Sequence, residues 1–384
     1  MNKMYAIRGG KILTMAQPGT VDDAMILIEG ERIRQINYNL QPPDGYKVIE
    51  AQGKYICPGF IDSHTHLGLE EEIYRIEGDD VNEMTHPVTP QLQAVDGINY
   101  FDLGFEDALR GGITRAMVMP GSANILGGQA AFLKTLASRP AEMIYKNPWG
   151  LKAALGENPK RVYGADKKSP QTRMASASLL REAFFKAARV IDKLDLEGGE
   201  AYAQEPIFKV LRREMPLLLH VHRADDILTA LRIMDEFHFD LLIQHGTEAH
   251  LVADELCERK VGVFLGPLLV NRAKVEMKSV AFKNARLLAE RGVKFSLITD
   301  HPVVPIEHLR VCAALAVREG LSEDTALQAL TVEPASFLGV EEELGSIKVG
   351  KRADLVIFNG HPLDFRSVVE EVFVDGLLWR NRIE

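Results

Sequence analysis

Three features of the 384-residue sequence predict an α/β protein, a (β/α)8 TIM barrel with a small β-sandwich formed by both termini. Eight strand-like apolar runs punctuate the middle of the chain, and amphipathic helical stretches follow most of them. Both ends carry only short strands with glycine-rich turns. No GxGxxG fingerprint follows a strand, which disfavours an open doubly wound sheet.

Residues 1–57 contain MYAIRGGKILTM, AMILIEGERIRQI and KVIEAQGKYI, strand-like runs broken by Gly-Gly, Gly-Glu and Gly-Lys. Residues 345–384 are alike, with SIKVGKRADLVIF and VEEVFVDGLLW. Neither end can bury a sheet face alone, so the two are expected to pair around an inserted barrel, 58–344. The barrel candidates are ICPGFIDSHTHLG, ITRAMVMPG, GQAAFLKT, WGLKAALG, LLLHVHR, LLIQHG, VGVFLGP and KFSLITDH. Their near-continuous apolar character predicts a parallel sheet covered by helices. In DDILTALRIMDEF, Ile227, Leu231 and Met234 share a helical face. A long helix is expected over 169–190, where Leu180, Phe184, Ala187 and Ile191 keep helical spacing. From Leu69 to Asp96 neither period holds, and Glu70, Glu71 and Glu72 form an acidic cluster. That stretch is expected to be a long loop over the barrel mouth.

Composition narrows the function. Hydrophobic residues make up 46% and charged residues 26%, as in a soluble globular chain, which excludes a disordered or fibrous one. Lys and Arg number 45 against 54 Asp and Glu, a net charge of −9, so no basic excess favours nucleic acid. No apolar run reaches the ~18 residues of a membrane span. The start, MNKMYAIRGGKILTM, lacks a signal-peptide core, and a cytoplasmic location is expected. Cys57, Cys257 and Cys312 are far apart and form neither a CxxC zinc pair nor a disulfide framework. Cys57, just before the first barrel run, is expected in the core. A metal site must therefore draw on the 11 histidines and the carboxylates.

Barrel active sites sit at the C-terminal ends of the strands. The first run ends in His64-Thr65-His66, and residues two apart on a strand face the same side. The fifth ends in His220-Val221-His222, the sixth in Gln244-His245 and the eighth in Asp300. A lone histidine at a strand end is ordinarily a packed wall residue. Four runs ending this way are poorly explained by packing. Imidazole with carboxylate is a ligand set for Zn²⁺ and similar divalent ions.

These residues stand in PGFIDSHTHLG, HVHRADD, QHGTEAH and ITDHP, and the chain continues through LTVEPASFLGV to LGSIKVGKRADLVIF. In these motifs, over nearly its whole length, the sequence resembles the amidohydrolase superfamily, in its imidazolonepropionase-like and prolidase-like branch. The resemblance implies that His64 and His66 bind the more buried metal and that His220 is the strand-five ligand. It implies that His245 binds a second metal or the substrate. Asp300 would contact metal and shuttle the proton. Lys152, in WGLKAALG, stands where binuclear relatives carry a lysine carboxylated on its amine. An ammonium would repel a cation whereas a carbamate would bridge two; a substrate clamp and an outward-facing lysine stay open as readings. His222 is expected beside the site, as a substrate contact or a wall residue. The implied cofactor is a divalent metal, zinc, as one or two ions. The implied reaction is hydrolysis of a C–N bond (amide, cyclic amide or dipeptide-like) in a small molecule by metal-activated water. His245 or His222 would steady the oxyanion.

Deaminases and imidazolonepropionase itself usually carry a glutamate three residues after the strand-five histidine, and here that place is Arg223. Deamination is the alternative reaction, and Arg223 counts against it. Arg223 could bind a substrate carboxylate in bidentate fashion or pair with Asp225 or Asp226. A non-catalytic scaffold homologue should have lost ligand positions, and none is lost. VMPGSANILGGQAAFLKT is no phosphate loop, since no Lys-Ser/Thr follows it. His301 is expected to point away from Asp300 in a continuing strand. Arg173 is expected on a solvated face. A homo-oligomer would suit a barrel of this size.

Overall fold

The computed structural model describes residues 4–73, 76–191 and 199–381. Eight strands form one sheet in chain order: β1 Phe60–Thr65, β2 Ile113–Val118, β3 Leu126–Lys134, β4 Ile144–Ala154, β5 Leu217–Val221, β6 Leu241–His245, β7 Gly262–Leu265 and β8 Phe295–Leu297. Residues just past β8 close the sheet on β1. The Asp300 N–H donates to the His64 carbonyl at 3.2 Å, and the His66 N–H to the His301 carbonyl at 2.8 Å. All residues of β1, β2, β5, β6, β7 and β8 are buried, as apolar strands covered on both faces require.

One strand departs from the parallel sheet expected. β3 runs antiparallel to both neighbours, with Phe132 opposite Met117 and Leu126 opposite Ala153. The cause is connection length. No helix lies between Val118 and Leu126, and only the 3₁₀ turn Pro140–Met143 separates β3 from β4. A parallel pair needs a crossover of about a dozen residues, usually a helix. The long helix is Arg173–Val190, starting later than 169 because the Thr172 hydroxyl caps it by accepting the Ala175 N–H at 3.1 Å. A second helix, Gly199–Leu211, had no counterpart in the sequence reading. No helix among the described residues is long and apolar enough to cross a membrane.

The chain ends do pair. The strand Tyr55–Pro58 lies antiparallel to Leu355–Phe358, with Ile56 opposite Ile357. Those two strands belong to a six-stranded sheet with Lys11–Leu13, Thr20–Asp22, Val369–Val374 and Leu377–Arg380. A four-stranded sheet of Met4–Arg8, Met25–Glu29, Arg32–Asn37 and Lys47–Glu50 accompanies it. Ile7, Ile26 and Ile28 from this sheet cluster with Ile12, Ile56 and Phe373 from the other. Cys57 is buried.

A buried ion cluster fastens these sheets to the barrel. Arg115 on β2 is fully buried, and its guanidinium donates to Asp354 at 2.6 and 2.9 Å and to Asp375 at 2.6 Å. Arg352 adds a bond to Asp375 at 3.0 Å. Removing one partner of such a cluster strands charge in the interior, at a cost of about 3–5 kcal/mol. Arg115→Met should therefore lower the urea-denaturation midpoint by an amount equivalent to about 3–5 kcal/mol. A change below about 1 kcal/mol would show that the cluster does not hold the two parts together.

Candidate metal centre

Six of the predicted residues line one cavity of about 250 Å³ at the C-terminal ends of the strands: His66, Lys152, His220, His222, His245 and Asp300. His64 lies behind them, fully buried. The rings of His64 and His245 are 4.7 Å apart, and those of His220 and His245 are 4.3 Å apart. Strands converging on the barrel axis produce this crowding, because each imidazole ends an inward-facing register.

The hydrogen bonds fix where the ring protons sit. His66 Nδ1 is 2.7 Å from the Met119 carbonyl, and His245 Nδ1 is 2.8 Å from the Gly266 carbonyl. His64 Nδ1 is 2.6 Å from Gln244 Oε1. An amide oxygen only accepts, so each Nδ1 carries the proton and each Nε2 keeps its lone pair. The Nε2 atoms of His64 and His66 then face Asp300 Oδ1 at 3.0 and 3.3 Å. With both rings neutral these are three lone-pair atoms in close approach, an arrangement that calls for a cation, a metal ion or a proton, between them. A second such defect lies beside it, where the Nδ1 of buried His220 has no partner among the described residues. His220, His222 and His245 can bring ring nitrogens within 4.8 Å of one another, as can His64, His245 and Asp300 through a carboxylate oxygen. The donor set fits a divalent metal, and the outward Nδ1–H bonds are the supports such ligands require.

Burial sets the charge states. It pushes His64 and His222 down to about 4, helped by the positive charge of Lys152 at His64 and of Lys274 at His222. His220 and His245 are held well below the ordinary imidazole value for the same reason. Among the described residues no carboxylate lies in hydrogen-bond reach of Lys152; its Nζ contacts His64 Nε2 and Met119 Sδ, each at 3.4 Å. Burial takes its ammonium down to about 7. Burial alone would raise Asp300; positive charge at the ring nitrogens facing it is what lowers the carboxyl well below its usual range, a charge that neutral imidazoles do not supply and a bound cation would. Behind the cluster, Asp62 accepts the Thr299 hydroxyl at 2.5 Å and the His64 N–H at 3.2 Å, tying β1 to the end of β8. Asp300 and His245 have left-handed φ values of 56° and 75°, strain of order 1–3 kcal/mol each that persists only where the surroundings enforce it.

Three expectations are corrected. Arg223 does not reach the cavity; its guanidinium grips Asp225 with two bonds of 2.9 Å. Its neighbour two residues on simply offers a nearer carboxylate than the site does. His301 does not continue a strand, since β8 ends at Leu297. His301 is buried, and its Nε2 is 3.6 Å from Glu72 in the loop over the mouth. Arg173, expected on a solvated face, bonds Asp226 at 3.0 Å. Several site residues had no sequence signal. Asn158 comes from the first turn of the helix Glu157–Ala165 and Lys274 and Glu276 from a short turn, while Gln244 was legible only as the neighbour of His245.

The depressed imidazoles make stability pH-dependent. A histidine whose folded value lies below its unfolded value of about 6.5 leaves the unfolded chain binding more protons between the two. Chelator-treated protein should lose stability as pH falls from about 6.5 toward about 4, by roughly 3 kcal/mol for each of His64 and His222. His222→Gln should flatten the urea midpoint across that window. An unchanged slope would mean that the ring is not held neutral.

A model of the amidohydrolase family matches residues 55–378. A solved amidohydrolase from Thermotoga maritima MSB8 is 42% identical with a TM-score of 0.93, covering 98% of this chain and 100% of that one. Amidohydrolase tasK of Hapsidospora irregularis is 28% identical over 91% of this chain, which spans only 39% of that protein's length. A 5-methylthioadenosine/S-adenosylhomocysteine deaminase of Thermodesulfovibrio yellowstonii is 23% identical over 98% of this chain and 93% of its own. The chain belongs to the amidohydrolase family, whose enzymes act on carbon–nitrogen bonds.

Proposed function

We propose that this enzyme hydrolyses a C–N bond in a small amide, cyclic amide or dipeptide-like molecule, using one or two zinc ions. The observation that carries this reading is the pair of Nε2 atoms, from rings whose Nδ1–H bonds point outward, aimed at Asp300 Oδ1. In it, 58–344 is the catalytic unit, with 1–57 and 345–384 as its β-sandwich companion. His64, His66 and Asp300 would hold the more buried ion, and His220 and His245 the second. Lys152 would join both as a carbamate. A lysine drawn down to about 7 presents much of its amine unprotonated near neutral pH, the form that can add carbon dioxide.

Bound metal supplies acidification of a water molecule and polarisation of the scissile carbonyl. Asp300 accepts the proton from the attacking water and hands it to the leaving nitrogen. His222 Nδ1 lies 2.7 Å from the Thr247 hydroxyl, which can donate to it. That tautomer leaves an Nε2–H, 3.8 Å from Glu276 Oε1, that could steady the oxyanion. The buried wall excludes bulk water from the transfer.

Deamination is the second reading, suggested by the name of one relative. The place of the expected glutamate is held by Arg223, already engaged with Asp225. A screen of N-acyl amino acids, dipeptides, hydantoins and lactams with zinc supplied, beside an ammonia-release assay on aromatic amines, separates the two. Asp300→Asn should cut turnover by about 10²-fold or more while most of the metal stays bound. Retained turnover would remove Asp300 as proton shuttle. Lys152→Ala should lower bound zinc from about two ions per chain to about one, read by elemental analysis. Unchanged stoichiometry would argue for a site without the carbamate.

A further inference from the structure

The cavity wall beside His220 and His222 carries a cation that hydrolysis does not use. Lys274 follows β7 and precedes the 3₁₀ turn Val275–Met277. It is half-buried and lines the same cavity as the histidines. Its Nζ donates to Asn158 Oδ1 at 2.8 Å. Asn158 is itself held, since its Nδ2 donates to the Ser122 hydroxyl at 2.7 Å and stands 3.4 Å from His220 Nε2. The ammonium is thus moored inside the cavity rather than extended into water.

No carboxylate among the described residues forms an ion pair with it. Glu276, two residues on, makes no ion pair with Lys274: Oε2 accepts the Glu157 N–H at 2.9 Å, and the buried Oε1, without a hydrogen-bond partner among the described residues, faces His220 and His222 at 3.8 Å. Glu70, the other acid on the wall, acts electrostatically on His66 at the opposite end of the histidine cluster. An ammonium has three donor hydrogens, and Asn158 takes one. Holding a cation half-buried with donors to spare costs free energy unless an anion completes the set.

We propose that Lys274, moored by Asn158, receives a carboxylate of the substrate, so that the substrate is an amide bearing an acidic group next to the scissile C–N bond. This rests on the hydrolase reading for its orientation, with the amide carbon over the metal ligands and the carboxylate beyond His220. N-acyl amino acids and peptides with a free C-terminus fit; neutral amides and uncharged lactams do not. One charge-assisted contact of this kind corresponds to about ten-fold or more in affinity.

The test reads binding apart from turnover. Metal-loaded Asp300→Asn protein is titrated by calorimetry with a panel of N-acetyl amino acids and their matched primary amides. At least one acid should bind about ten-fold or more tightly than its amide, with the preference falling as salt rises. Lys274→Gln on the same background should erase the preference, and Lys274→Arg should keep it. Equal binding of acid and amide, binding of neither, or a preference that survives Lys274→Gln each overturns the proposal. Acid-selective binding with no turnover of that acid by the wild-type enzyme would leave Lys274 standing and sink the hydrolase reading. Turnover of acid and amide alike would do the reverse.

Discussion

Everything at the barrel mouth depends on ring protons being committed outward. His64, His66 and His245 each spend the Nδ1 hydrogen on a fixed oxygen of Gln244, Met119 or Gly266. At His64 and His245 burial also disfavours a proton on the other nitrogen, which is left as a bare donor. A protein interior tolerates such an arrangement only if a cation pays the electrostatic debt. The same dryness that neutralises His64 draws Lys152 toward its amine form, so the proposed ligand and the proposed bridge would share one cause.

The fold supplies that dryness and that convergence. β1 and the end of β8 are stitched by backbone bonds and by Asp62, so His64, His66 and Asp300 are placed by main-chain geometry rather than by flexible side chains. Left-handed φ values at His245 and Asp300 show the backbone bending to serve the site. Far from it, Arg115 locks β2 to the sheets made by the chain ends. Those sheets contribute no residue to the cavity lining. Their contribution is to hold the barrel's frame.

How much of this was legible in the sequence follows from the physics of each signal. Strand ends are legible because a buried apolar run terminating in His or Asp leaves few innocent explanations; His64, His66, His220, His245 and Asp300 all come from that rule and all converge. Lys152 came from resemblance, since nothing in WGLKAALG says which way a lysine points. The direction of β3 was not legible, because the apolar run looks the same in either sense and only the missing crossover helix gives it away. For Arg223 the sequence offered both a substrate carboxylate and Asp225 or Asp226 as partner, and only the structure shows that Asp225 captures it. Lys274 and Glu276 lie in a short turn and Asn158 at the start of the helix Glu157–Ala165, and three-dimensional closure alone brings them to the histidines.

Charge organises the cavity as well. Neutral imidazoles and an ionised Asp300 favour cations at the centre, while Lys274 on one wall favours an anion. A substrate meeting both must be polar in a definite direction. The measurement that bears most directly on the account is anomalous diffraction at the zinc edge from crystals grown with zinc. A peak among His64 Nε2, His66 Nε2 and Asp300, with a second between His220 Nδ1 and His245 where two ions bind, is the predicted result. No peak at the first position, with density only elsewhere, would contradict it.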